Sequence, residues 1–564
     1  MSQAVRSPSA NAGSPRRCWS ELLAGVVLAA LLIFNVPLFL CMPLWQDVTL
    51  YDICARNVLN GGTPYRDVFD NNLPGIVWLH VAIRSLLGWR SEAIRLADLL
   101  FLSGSLVLLA HWLKLVGRSG AVVGWTLVVM FTFYFSTSEF CHCQRDPWAL
   151  LPMLAGLYLR SRQLSRLTAP AASLSRLAAW ALAEGLCWGA AVWIKPQFFV
   201  AAFICWLVSA LQAMRQAPMA CRRLLADASG LLGGGLIAGS LGFGWLEGTG
   251  AWPYFVDIML HWNWEYLPHV APEAYVGLFL TKLFPWGLVH FLAVPLALVT
   301  IFWGLTPLRG MDADKLAILR FRALLAALYV GWLLQVILLQ HGFDYQLVPP
   351  VLLALALLAG AGPSGGHVRW AVLAGFLGTA AVLHPMFHAR RATAWPRCLR
   401  EGSTPQVRDR LALTGAVTWT DLKRAEDYLE SLHLQQGELT CYDWRTNALY
   451  SDLGLRPSTR FINIDSLLGF YTGHRATIRR ALIDSRQRYV VTDLAMKGIR
   501  EQDLKVGPDG PLDLPAGFPS GLRDLFPYYE PIVFRSNRYA VHRVTRPVEV
   551  LVPGDSEGDR PGQD

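Results

Sequence analysis

Charged residues are scarce in this chain of 564, at 16% against about 25% in a soluble globular protein. That deficit argues against an ordinary water-soluble protein and points to lipid. Paired CxxC cysteines are absent among the 10 Cys, which argues against a zinc site or a dense disulfide framework and leaves the redox compartment open. No internal repeat is found, which weakens a transporter built from inverted halves. No small-residue cleavage site clearly follows the first long apolar run, so that run is expected to stay as an anchor. Nor is there one basic domain. The net charge of +9 comes from Arg in short clusters between apolar runs, a topology signal rather than a nucleic-acid surface.

What the chain has in abundance is apolar surface, 53% of residues, with 22 Trp and 17 Tyr whose amphipathic rings favour the headgroup zone. A spanning helix needs about 20 mainly apolar residues. Such runs lie near Leu22 to Met42, Leu96 to Val116, Ala121 to Phe135, Pro147 to Leu159, Leu177 to Ile194 and Phe198 to Met214. More follow near Leu224 to Trp245, Gly287 to Leu305, Ala323 to Leu339, Leu347 to Ala361 and Val368 to Met386, so about eleven transmembrane helices are expected. The basic stretches Arg6 to Arg17, Arg160 to Arg176, Arg215 to Arg223 and Arg309 to Arg322 fall on one side if Leu73 to Gly88 does not cross. That segment, interrupted by His80 and Arg84, reads as an amphipathic helix lying at the interface.

This gives a mainly α, polytopic membrane bundle with a C-terminal soluble α/β domain. Residues 1–21 form a cytoplasmic tail and 22–387 the transmembrane module, with 43–95 as a first outer loop carrying interfacial helices. Residues 388–551 form an extracytoplasmic domain, and the Gly-, Asp- and Pro-rich 552–564 a disordered tail. The change of pattern begins at about Thr404. Helix-like Asp421 to Leu432 and His474 to Asp484 alternate with strand-like Glu438 to Trp444 and Tyr489 to Leu494.

Polar groups that could carry chemistry collect at the outer helix ends, where an ionisable group near lipid is a functional candidate. Asp47 lies just beyond the first helix. It could take a proton from an acceptor hydroxyl or help hold a divalent cation, or be a helix cap or solvated loop acid. In the second outer loop, Arg145 could pair with a phosphate, while Asp146 before Pro147 also fits an ordinary helix start. Cys141, His142 and Cys143 have the composition of metal ligands, yet adjacent ligands without a second cluster point to chance. Lys195 sits between two apolar runs with almost no loop and suits either a phosphate partner or a snorkelling lysine. Tyr345 lies in the last outer turn. His261, Trp262, Trp264, Glu265, Tyr266 and His269 occupy a longer loop whose rings could stack on a sugar or rest among headgroups.

These pieces, in this order from Leu22 to about Met386, resemble the GT-C superfamily, specifically the membrane transferases related to protein O-mannosyltransferases and to the lipid A aminoarabinose transferases. Asp47 and Tyr51 fit the family's first outer loop, with Val48 in place of its second acid, so a metal of the family type is left open. Gly62 to Pro74 is similar to the segment leading into an interfacial helix, without the usual His or Lys before the Pro. Gln144, Arg145 and Asp146 resemble the acidic second loop, Lys195 the Lys at a helix end, and Tyr345 with Pro349 the late turn. The resemblance implies a hexosyl- or pentosyltransferase with a polyprenyl-phosphate sugar donor and a lipid, glycan or protein hydroxyl as acceptor, working at the extracytoplasmic face of a bacterial cell membrane. Lys195 and Arg145 would then stabilise the phosphate leaving group and Asp47 take the acceptor proton. The remaining readings are a lipid-linked-sugar flippase or transporter, a polymerase or ligase using a lipid-diphosphate donor, and an inactive scaffold.

Overall fold

A computed structural model of the chain describes residues 15–168, 173–216, 221–266, 286–306, 311–340, 342–361, 366–383, 389–506 and 512–545. The expected tails and His269 lie outside the described residues, apart from 15–21. The protein is a mainly helical, polytopic membrane protein with several apolar spans and a C-terminal domain. Its contacts divide it into two compact units, one of Met1–Leu40, Arg95–Gly239 and Val270–Arg400, the other of Cys41–Ile94, Ser240–His269 and Glu401–Asp564.

Over its described residues every apolar run picked out above is helical to within a residue or two of its ends. In chain order the long helices are α1 (Pro15–Cys41), α2 (Gln46–Leu59), α3 (Gly75–Leu87), α4 (Ser91–Leu115), α5 (Gly120–Ser136), α6 (Arg145–Leu167), α7 (Leu174–Ile194), α8 (Phe198–Gln216) and α9 (Cys221–Gly248). Then come α10 (Leu288–Leu305), α11 (Ala313–Leu339), α12 (Val348–Gly360) and α13 (Gly366–Leu383). Six of them, α1, α4, α7, α8, α9 and α11, are long and apolar enough to cross a membrane, short of the about eleven expected from sequence. On α9, Leu225, Leu232 and Leu236 are 69%, 67% and 70% exposed and share one helix face, an arrangement that suits lipid rather than water.

Helix α9 approaches α7 through glycine. A β-carbon on Gly185 would stand 2.2 Å from the Leu231 carbonyl oxygen, and one on Gly234 2.1 Å from that of Leu182. Small residues thus let two apolar helices touch backbone to backbone, the packing that operates where lipid removes the hydrophobic drive between helices. The Trp193 indole adds a 2.8 Å hydrogen bond to the Ala238 carbonyl.

Glu184 and Asp227, the acids that interrupt these apolar helices, meet around one guanidinium. Arg160 Nε lies 2.7 Å from Glu184 Oε1 and Nη1 2.8 Å from Asp227 Oδ2, all three side chains buried. Trp188 and Gln163 donate to the same carboxylates at 2.8 and 3.0 Å. Sequence reading had placed Arg160 at the start of a basic loop; α6 runs on to Leu167 and carries it inside, because two buried acids need a counter-charge.

The second unit draws its core from three distant stretches. The Phe69 ring lies 4.8 Å from Trp262, 5.4 Å from Phe461 and 5.5 Å from Tyr471 between centroids, and Phe69 N–H donates to the Arg460 carbonyl at 2.7 Å. The C-terminal part carries a four-stranded sheet of order β1-β2-β4-β3, with β1 Leu439–Cys441, β2 Tyr489–Asp493, β3 Ile532–Ser536 and β4 Tyr539–Arg543. β1 pairs parallel with β2, and the connection between them includes α15 (Arg475–Ile483), following α14 (Trp419–Ser431). β2, buried along its length, pairs antiparallel with β4, which forms a hairpin with β3.

Candidate functional site

Helix α7 ends where it does because Pro196 disfavours the helical conformation for the residue before it. Lys195 accordingly takes φ −159° and ψ 119°, and its side chain leaves the helix axis at one end of the bundle. There α6 begins, α11 stops at Gln340, and a short turn of Asp344–Leu347 leads into α12. Lys195 Nζ lies 2.7 Å from Asp146 Oδ2, donates to Gln340 Oε1, and stands 5.6 Å from the centre of the Tyr345 ring. Gln340 in turn donates to Gln335. Lys195 is 4% exposed and Asp146 fully buried. Burial pushes the Lys195 ammonium down to about 8; Asp146 opposes this and the nearby Arg145 charge adds to it.

Asp146 does not cap α6. Gln144 holds the cap position, and the Asp146 side chain is spent on Lys195, with Oδ1 buried and unpartnered. Of the sequence candidates, Arg145, Asp146, Lys195 and Tyr345 are thus brought together within the first unit. Their sequence separations kept the pairing itself out of sight, since no local pattern links a loop acid to a lysine 49 residues on.

Asp47 and Tyr51 belong to the second unit, one turn apart on α2. Asp47 is half-buried in the first turn, where the helix N-terminus favours a negative charge. Tyr51 is buried with its ring edge-on to His80 at 5.5 Å. The adjacent Asp52, which sequence reading passed over, is the anchor here. Its carboxylate meets His80 Nδ1 at 2.9 Å and Arg84 Nε at 2.7 Å, and Arg84 also donates to the Gly88 and Arg90 carbonyls at 3.1 and 2.7 Å. Burial would raise the Asp52 carboxyl, but the hydrogen bonds and charges of His80 and Arg84 outweigh it and hold it below the usual carboxylate range. The sequence had given His80 and Arg84 to the polar side of an interfacial helix. They face inward, and large apolar side chains, Leu86 and Leu87 among them, are exposed at that end. Two basic side chains four apart on an apolar helix were the signal available.

Among the described residues no three His, Cys, Asp or Glu side chains group as a metal site requires. In the Cys-His-Cys stretch, His142 Nε2 is engaged with Thr137 Oγ1 at 2.8 Å and the Tyr134 carbonyl at 3.0 Å. Trp262 is core, stacked on His474 at 3.9 Å, and Glu265 accepts from Gly473 N–H at 2.8 Å and pairs with His474, while Trp264 stays exposed. Cys398 and Cys441 are both buried.

Two solved structures share this architecture. ArnT from Cupriavidus metallidurans in the apo state is 14% identical, with 94% of this chain and 98% of that one covered at a TM-score of 0.54. The chain has the ArnT fold. The same protein bound to undecaprenyl phosphate gives 14% identity, 95% and 99% coverage and a TM-score of 0.52. No protein-family model and no curated protein matches the chain. The fold likeness to ArnT supports the mainly helical membrane bundle with a C-terminal domain expected from the sequence, and at this identity it extends to the fold alone.

Proposed function

We propose that the chain is a membrane glycosyltransferase that moves a sugar from a polyprenyl-phosphate donor to a hydroxyl acceptor at the extracytoplasmic face. The observation that carries the reading is a lysine held inside the protein at a helix end, in a fold shared with a protein that has been solved with undecaprenyl phosphate bound. In this reaction the acceptor oxygen bonds to the anomeric carbon, the bond from that carbon to the phosphate oxygen breaks with its electron pair going to the phosphate, and the acceptor proton passes to a carboxylate. Lys195 and Arg145 are assigned to the phosphate, where developing negative charge is best met by cations that need not reorganise. Asp146 keeps Lys195 charged and in place, and Tyr345 offers its ring beside the ammonium. Asp47 is assigned as the base, with inversion at the anomeric carbon, and Tyr51 to substrate binding.

The test compares transfer of labelled sugar by purified wild type, Asp47→Asn and Lys195→Ala, each checked for folding. Loss of about 10²-fold or more in folded Asp47→Asn is expected for a general base. Unchanged transfer in that variant removes Asp47 from the role. No transfer by wild type with any donor favours the flippase or scaffold reading.

A further inference from the structure

Asp98, on α4, is 1% exposed and receives donors from three directions. Tyr134 Oη, near the end of α5, lies 2.9 and 2.8 Å from its two oxygens, and Trp148 Nε1, in the first turns of α6, lies 2.6 Å from Oδ1. The backbone N–H of Cys143 bonds the same carboxylate. Cys143 itself has φ +58°, the left-handed region that a side chain with a β-carbon rarely adopts and that persists only where surroundings fix it. Three donors, one on each side of a turn and one within it, thus close on a single buried carboxylate. Gln144, Arg145 and Asp146 follow at once. His142 packs on the Phe39 and Tyr134 rings at 4.9 Å each, closing the turn from the other side.

We propose that Asp98 is a positioning residue for the phosphate-binding end of the bundle, pinning the 137–146 turn so that Asp146 meets Lys195. The inference rests on the reading above only in giving Lys195 a phosphate to bind. Among the described residues Asp98 bonds Tyr134, Trp148 and Cys143 and not Lys195; it acts through Cys143 and Trp148. The charged and titratable groups facing Lys195 are Asp146 and Arg145 of α6 and Tyr345 before α12. Those near Asp98 are Arg95, one turn earlier on α4 with its guanidinium 5.1 Å from the Phe39 ring centre, and Tyr134. If the turn relaxes, Lys195 loses its counter-ion while staying buried, and its neutral form is favoured at lower pH. Asp98→Asn replaces one accepting oxygen with an NH2 group that only donates, so the donors of Tyr134, Trp148 and Cys143 are left to one oxygen. Trp148→Phe removes one donor without altering any charge.

The test is competitive acetylation of Lys195 in the full-length protein in detergent, quantified by mass spectrometry from neutral to alkaline pH. In Asp98→Asn and Trp148→Phe the midpoint of Lys195 reactivity is expected to move to lower pH by about half a pH unit or more, about threefold in reactivity at fixed pH. A purely structural role would lower the melting temperature and leave the midpoint in place. An unmoved midpoint in folded variants overturns the proposal, and if Asp98→Asn does not fold, Trp148→Phe alone decides it. Because the readout needs no donor, a moved midpoint with no sugar transfer by wild type would defeat the transferase reading while leaving the positioning role intact.

Discussion

Lys195 and Asp146 meet at 2.7 Å inside the protein, one at the end of α7 and the other in the first turn of α6. A buried pair of this kind is costly to desolvate, and its members depend on each other. Removing either partner leaves an uncompensated charge, which costs about 3–5 kcal/mol. Lys195→Met and Asp146→Leu are each expected to destabilise the purified protein by an amount of that order, and the double variant by much less than the sum. Additive losses in thermal unfolding would mean that the two residues do not work as a pair.

Asp443, at the C-terminal end of β1, gives the C-terminal domain a pH dependence. Burial pushes its carboxyl up to about 7, Lys497 opposes this, and the neighbouring Asp465 and Asp493 charges add to it. The folded state therefore holds a proton that the unfolded chain, with an ordinary carboxyl, releases near pH 4. The linked stability, a few kcal/mol at most, is fully present below about pH 4 and lost as pH rises through about 7. Hydrogen exchange of β1 and β2 should show protection falling over that window in wild type and a flatter profile in Asp443→Asn. Equal slopes in the two proteins would remove Asp443 as the cause.

The close contact of α7 and α9 makes a sharp distinction between adjacent glycines. Gly234→Ala drives a methyl into the Leu182 carbonyl, whereas a β-carbon on Gly233 meets nothing within 4 Å. Alanine is favoured over glycine in a helix by about 1 kcal/mol, so Gly233→Ala should be neutral or stabilising and Gly234→Ala destabilising. Melting temperatures of the two variants, measured side by side, check this. Equal effects would contradict the backbone contact.

The sequence made the helices readable because apolar length is a local property, and the α/β alternation of the C-terminal part because period and turn residues are local too. What it concealed was pairing. Arg160 looks like a loop cation beside the other arginines of its cluster and is in fact the counter-charge of two acids on other helices. His80 and Arg84 look like a wet helix face until Asp52 is found opposite them. Asp98 lies in an apolar run with no local sign of the tyrosine and tryptophan that reach it. The β3–β4 hairpin, by contrast, was within reach. Asn537, left-handed at φ +49°, begins a two-residue link between β3 and β4, and asparagine is a residue such tight links favour because it tolerates that conformation.

The donor decides the proposed reaction. The decisive measurement follows a labelled sugar presented to the purified wild-type protein on polyprenyl monophosphate, on polyprenyl diphosphate and on a nucleotide, with membrane-lipid and glycan hydroxyl acceptors. Transfer from the monophosphate donor, with polyprenyl phosphate released, is the predicted result. Transfer only from the diphosphate, or from no donor at all, would contradict it.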